Sequence, residues 1–314
     1  MVFETPGKIT ERIWLVGRRE SCAYIVGGKD DYALLGGAMA YVAPDVLDQL
    51  KRFGIDETKI RRIVILHSHF DHCGMVPFFK RRWPWAVVTA SARSRELLQK
   101  PKVVANIAAL NQALIASSGL TGDAGEDDLR FDGIDVEAVV RDGETLPCSD
   151  LSLEIMEVPG HSSCSIAVYI PEEKALFASD AGGVPFGDKI FTAANSNFDL
   201  YQASLAKMAA RDVAIHLAEH YGARSGEEGR RFLQDALAAA AETRQILEAT
   251  YAETGDEART AAIITDRIMA EAPVDFLPRE VVTLVAGQMV HYIAKTMSAD
   301  TASKEANDAQ TIKK

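Results

Sequence analysis

The chain has 314 residues, of which 47% are hydrophobic and 25% charged, and its formal net charge is -11. That is ordinary globular composition with enough apolar material for a sizeable core, so no disulfide or metal staple is needed for folding. The acidic balance argues against nucleic acid as a partner, because such binding depends on Lys and Arg neutralising phosphates.

No window of about 18 unbroken apolar residues suggests a membrane span, and Met1 to Arg12 lack a basic region followed by an apolar stretch. The expected setting is therefore cytoplasmic, with no membrane partner. The four cysteines, Cys22, Cys73, Cys148 and Cys164, are widely spaced and read as reduced, packed thiols.

From the N-terminus, Arg12 to Val16, Cys22 to Val26 and Tyr32 to Leu35 read as short strands broken by Gly-rich turns. Ala43 to Phe53 has helical spacing, with Val46, Leu47, Leu50 and Phe53 on one face. Ile63 to Leu66 is a short buried strand, followed at once by His67-Ser68-His69-Phe70-Asp71-His72. A short helix over Met75 to Lys80 and a strand over Ala86 to Ala90 come next. Ser91 to Ser118 is helical in propensity, with Pro101 as its breaker, and Thr121 to Asp128 is an acidic loop. Strands return at Val136 to Val140, Leu151 to Val158, Ser165 to Ile170 and Ala175 to Ala178. Helix is expected over Phe198 to Ala209, strand over Val213 to Leu217, and mostly helix from Gly226 to about Met297 with a break at Glu271 to Pro278. The polar tail from Ser298 to Lys314 is expected to be disordered. Two groups of strands, each followed by helix, suggest two packed sheets with helices outside.

Three histidines and an aspartate within six residues, directly after a buried strand, have the character of a metal-binding turn. His67 and His69 alternate in extended backbone and can point the same way toward one ion. Where the chain then turns, Asp71 and His72 can face a second ion. Imidazole and carboxylate suit zinc, iron or manganese, and a two-metal site needs further ligands. Three more candidates each follow an apolar run: His161 in Val158-Pro159-Gly160-His161, Asp180 in Phe177-Ala178-Ser179-Asp180, and His220 in Leu217-Ala218-Glu219-His220.

In that order, His67 to His72 with Gly74, Pro159-Gly160-His161, Ser179-Asp180 and His220 resemble the metallo-β-lactamase superfamily pattern, from about Ile13 to Gly222. The resemblance implies an α+β, four-layer αββα sandwich over 1–225, with inserted helices at about 91–118. A helical C-terminal extension over 226–297 would then cover the active site. It implies two divalent metal ions, the first held by His67, His69 and His161 and the second by Asp71, His72 and His220. Asp180 would bridge them. Asp71 and Asp180 are the candidate catalytic carboxylates, and Tyr221 a candidate substrate contact. A narrower likeness, over His67 to Phe79, the helix with Asn111, Arg141 to Glu144 and Val274 to Pro278, looks like the PqsE-type 2-aminobenzoylacetyl-CoA thioesterases. Two departures stand out. The turn Leu35-Gly36-Gly37 lacks the Asp many relatives carry, which would weaken support for a ligand. The last His lies in Glu219-His220-Tyr221 rather than in a Pro-Gly-His-Gly turn, which puts a phenol beside the metals.

The implied activity is hydrolysis of a small thioester or ester by a metal-activated hydroxide. The alternatives are a lactonase of the acyl-homoserine lactone type, a glyoxalase II-like hydrolase, or a regulatory, partner-binding protein whose hydrolysis is incidental. The expected partner is a small acyl substrate, with a homodimer left open. His216 and His291 are expected to be structural or exposed.

Overall fold

The computed structural model describes residues 1–118, 128–187, 189–272 and 277–311. The chain starts with two short strands, β1 (Val2–Phe3) and β2 (Gly7–Lys8), which join different sheets. β3 (Ile13–Arg18), β4 (Ser21–Gly27) and β5 (Tyr32–Leu35) form an antiparallel meander. Helix α1 (Ala43–Arg52) starts with Pro44 in its first turn, where the missing N–H costs nothing. Its buried Gln49 clamps Gly17 of β3, donating to the Gly17 carbonyl and accepting from the Gly17 N–H. β6 (Ile60–Val64), α2 (Val76–Arg82), β7 (Val87–Ser91), α3 (Ala92–Leu98), α4 (Pro101–Ser117) and β8 (Ala138–Val140) complete the first half. Sheet order is β2-β3-β4-β5-β6-β7-β8, parallel from β5 onward.

The second half contributes β9 (Thr145–Cys148), β10 (Leu151–Glu157), β11 (Ile166–Ile170) and β12 (Ala175–Phe177). A hairpin of β13 (Val184–Phe186) and β14 (Lys189–Phe191) follows, then α5 (Phe198–Ala209), β15 (Ile215–Leu217) and β16 (Ala223–Ser225). The second sheet runs β1-β16-β15-β12-β11-β10-β9. Three helices close the chain: α6 (Glu227–Thr254), α7 (Glu257–Glu271) and α8 (Arg279–Thr311).

The facing sheet surfaces bury Leu15, Tyr24, Leu35, Leu153, Val168, Phe177 and Leu217 in one cluster. Helices α1, α2 and α4 cover the outer face of the first sheet, and α5 to α8 that of the second. The result is the four-layer αββα arrangement. None of the described helices is long and apolar enough to cross a membrane.

The alternating apolar runs located nearly all the longer elements. Differences concentrate in short pieces: the β13–β14 hairpin and β9 escaped, and β9 carries Pro147, which an edge strand tolerates because one side needs no ladder donor. The expected single helical region after Gly226 is cut again at Gly255, whose φ of +60° ends α6 before Asp256 caps α7. Helical backbone also continues past Ser298 to Thr311, where a disordered tail was expected. That stretch has no Gly or Pro to break a helix and carries four Ala among its Ser, Thr, Asp and Asn residues. The acidic loop at 121–127 and residues 274–276 of the narrower likeness lie outside the described residues.

Candidate metal centre

β12 and β15 are parallel, and β10 runs in the same direction because β11 is antiparallel to both β10 and β12. The C-terminal ends of all three strands therefore share one edge of the second sheet. His161 follows β10, Asp180 follows β12 and His220 follows β15. The loop after β6 brings His67 to His72 to the same edge, tied there by the Ile166 N–H donating to the Leu66 carbonyl at 2.8 Å. The inserted helix α4 supports this loop: Asn111, 1% exposed, donates to the Phe70 carbonyl and accepts from the Ala40 N–H. Gly160 cannot be replaced cheaply, since a Cβ there would lie 2.2 Å from the Tyr201 backbone nitrogen and its φ is +133°.

Two groups of donor atoms result, each gathered within 4.8 Å: His67, His69 and His161, and Asp71, His72 and His220. His161 Nδ1 lies 2.8 Å from the Ala193 carbonyl, which can only accept, so Nδ1 carries the proton and Nε2 a lone pair. That lone pair faces His67 Nε2 at 3.2 Å and His69 Nδ1 at 3.0 Å. His220 is fixed the same way by the Glu20 carbonyl at 2.7 Å, and its Nε2 meets His72 Nε2 at 3.2 Å. Asp180 reaches both groups: Oδ2 lies 3.1 Å from His72 Nε2 and 3.5 Å from His161 Nε2, and Oδ1 lies 3.7 Å from His220 Nε2.

Burial and mutual repulsion push His67 well below the usual histidine range and His69 to about 3; burial also lowers His161. Burial opposes the charged form of Asp71 and Asp180 too, but the His72 and His220 imidazoles outweigh it and hold both carboxyls well below their usual range. In return those carboxylates overcome burial and raise His72 and His220. Neutral imidazole lone pairs and carboxylates aimed at one another repel unless a cation lies among them. The donor set therefore fits divalent ions such as zinc, iron or manganese, with Asp180 placed to serve both.

The seven sequence-predicted ligand residues thus come together. Tyr221 is buried in packing, with Arg19 stacked over its ring at 4.7 Å, and its φ of +58° belongs to the turn it shares with Gly222. All four cysteines are free and buried. Sequence reasoning missed Glu219, which is 1% exposed and lies 2.9 Å from His72 Nδ1. Its only signal was an acid following Leu217-Ala218 and directly preceding a candidate ligand.

His216 is structural. It is fully buried, stacked on Phe232 at 3.8 Å, and neither ring nitrogen has a hydrogen-bond partner among the described residues. Burial lowers its pKa to about 3, so the folded protein resists protonation that the unfolded chain accepts below about 6.5. Stability from this group is complete above that value and falls as pH drops toward 3, by up to ~1.4 kcal/mol per pH unit. His216→Phe should therefore lose roughly 2.5 kcal/mol less stability than the parent between neutral pH and about pH 4.5, measured by urea denaturation. An equal loss in both proteins would exclude this origin of acid sensitivity.

Residues 16–220 match the profile of the metallo-beta-lactamase superfamily. The chain is 25% identical over 178 residues to the human acyl-coenzyme A thioesterase MBLAC2, a match covering 55% of this chain and 61% of that protein. It is 26% identical over 152 residues to a hydroxyacylglutathione hydrolase of Parasynechococcus marenigrum, covering 48% and 45% respectively. The matched region is thus less than two thirds of either relative. Among solved structures, a metallo-beta-lactamase family protein from Thermus thermophilus superposes with a TM-score of 0.66 at 20% identity, covering 93% of this chain and 95% of that one.

Proposed function

The chain belongs to the metallo-β-lactamase superfamily, and from that premise we propose that it is a two-metal hydrolase cleaving a small thioester or ester. The observation that carries this reading is Asp180, whose carboxylate reaches His161 of one donor group and His72 and His220 of the other. His67, His69 and His161 would hold one ion, Asp71, His72 and His220 the second, and Asp180 would face both. When bound, such ions supply a water whose pKa falls toward ~7 and an electrophilic contact for a carbonyl oxygen.

The remaining work falls to the protein. The Ala193 and Glu20 carbonyls hold His161 and His220 with their Nε2 atoms facing inward. Asp71 or Asp180 would take up and pass on the proton that an attacking water must lose. His69 and Phe70, the partly exposed members of the loop, mark the side from which substrate enters. A thiolate leaving group needs little protonation, so these carboxylates suffice without a dedicated general acid.

The acyl-coenzyme A thioesterase and the hydroxyacylglutathione hydrolase among the relatives support the acyl class. A cavity of about 1020 Å³ lies between the β13–β14 hairpin and α6 to α8; its walls mix Phe191, Phe232 and Leu247 with the charged Lys189, Arg231 and Asp235, and none of the seven cluster residues lines it. Phe191 and Thr192 directly precede Ala193, whose carbonyl holds His161, so cavity and site share a chain segment.

The test is a substrate panel run on zinc-, iron- and manganese-loaded protein. It comprises acyl-CoA thioesters including 2-aminobenzoylacetyl-CoA, hydroxyacylglutathione, and acyl-homoserine lactones. Thioesters should exceed lactones in kcat/KM by roughly tenfold or more. A preference for lactones would refute the thioester assignment, and no turnover with any metal would refute the hydrolase reading.

A further inference from the structure

Glu219 is a buried acid with an unusual set of neighbours. Its backbone carbonyl accepts from the Cys22 N–H at 2.7 Å, which ties the end of β15 to the start of β4. Its side chain turns inward. Among the described residues no lysine or arginine lies within ion-pair distance of it; its ionic contact is His72, with Oε2 2.9 Å from Nδ1. The same Oε2 accepts the hydroxyl of Ser179, and Ser179 Oγ in turn lies 3.3 Å from His67 Nδ1. One carboxylate oxygen therefore meets both the imidazole of His72 and the hydroxyl that faces His67. His67, His72 and Glu219 bring their donor atoms within 4.8 Å of one another.

The surrounding backbone makes room for this arrangement. A Cβ on Gly36 would lie 2.5 Å from Glu219 Oε1 and 3.2 Å from Phe177 Cζ, so a side chain there would evict the carboxylate. Gly36 also has a φ of +91°, which favours glycine for a second reason. Ser179 sits in the left-handed region at φ +49°, and its hydroxyl stands between Glu219 and His67.

The consequence is a choice of tautomer. His72 Nε2 faces Asp180 at 3.1 Å and Asp71 at 3.3 Å while Nδ1 faces Glu219 at 2.9 Å, so carboxylates favour a proton at either nitrogen. Once a cation takes the Nε2 side, the remaining proton belongs on Nδ1. The contact is one of charge, since the ring N–H is not aligned for a hydrogen bond with Oε2. With Nδ1 protonated, His72 Nε2 is left as a lone pair pointing at Asp180, His220 and Asp71. By relay, the Ser179 hydroxyl donates a hydrogen bond to Glu219 and its oxygen can accept from His67 Nδ1, which frees His67 Nε2 toward His161.

We propose that Glu219, seated in the space left by Gly36, is a positioning residue that sets the tautomers of His72 directly and of His67 through Ser179, and so prepares both metal half-sites at once. The inference rests on the metal reading of the seven-residue cluster, but not on any substrate.

The test is zinc binding to the full chain by titration calorimetry and elemental analysis, comparing the parent with Glu219→Gln and Ser179→Ala. Glu219→Gln should bind zinc ~10–100-fold more weakly at both half-sites. Ser179→Ala should weaken one equivalent and leave the other at parental affinity, an asymmetry that general loosening of the fold would not produce. Two equivalents bound at parental affinity by Glu219→Gln would overturn the proposal. If that variant does not fold, Ser179→Ala decides alone, and parental affinity at both equivalents overturns the relay and with it the proposal. A parent chain that binds no zinc would instead refute the metal reading beneath it.

Discussion

Removing divalent metal with a chelator should lower the protein's thermal midpoint by roughly 5 °C or more, and adding zinc back should restore it. The cause is the electrostatics of the cluster. Lone pairs of His67, His69 and His161 converge within 3.0 to 3.2 Å, and the Asp71 and Asp180 carboxylates close the other side. Without a cation, part of that charge is balanced by protons on His72 and His220, which the carboxylates favour. Each ion present at 100 times its dissociation constant adds ~2.7 kcal/mol to the folded state, and a chain of this size converts each kcal/mol into roughly 1.5 °C, so two ions shift the midpoint by about 8 °C. Because ions and protons compete for the same atoms, the zinc-induced shift should shrink as pH falls. Calorimetry of chelated, dialysed and zinc-supplemented samples measures it. A midpoint indifferent to metal, with no zinc retained after dialysis, would contradict the assignment of this cluster.

How much of this could be read from the sequence depended on how local each signal was. The turn His67 to His72 announces itself because four ligand-type residues follow one buried strand within six positions. His161, Asp180 and His220 could be found because each stands just beyond an apolar run, where a strand ends and its next side chain reaches the sheet edge. Glu219 could not be found that way. Its position depends on Gly36 in β5's turn, on Ser179 beyond β12 and on a strand-to-strand contact with Cys22, and no short pattern records such a meeting. The turn that lacks the relatives' Asp is not empty: the space beside Gly36 is the one that the Glu219 carboxylate fills. The β13–β14 hairpin was illegible for another reason. Two three-residue strands around Gly187, one containing Pro185, are too short to show a period of two.

Asp180→Asn should lower kcat/KM on the preferred substrate by on the order of 10³-fold, about 4 kcal/mol of transition-state stabilisation. Each other member of the cluster serves one donor group, and its loss could be offset in part by water. Asp180 alone places one carboxylate oxygen 3.1 Å from His72 Nε2 and 3.5 Å from His161 Nε2, with the second oxygen 3.7 Å from His220 Nε2. Asparagine keeps the shape but removes the charge that offsets two cations, and its amide cannot take up a proton at neutral pH. The effect should appear in kcat more than in KM, because the lost interaction acts on the reacting atoms rather than on the body of the substrate. His291→Ala provides the control: that ring is exposed on α8, paired with Glu257 at 3.0 Å, and its removal should leave kcat/KM unchanged. Elemental analysis belongs in the same experiment. A variant that keeps both ions yet loses activity assigns Asp180 to proton transfer, whereas one that loses an ion assigns it to bridging. Activity within tenfold of the parent would show that hydrolysis does not run through this centre.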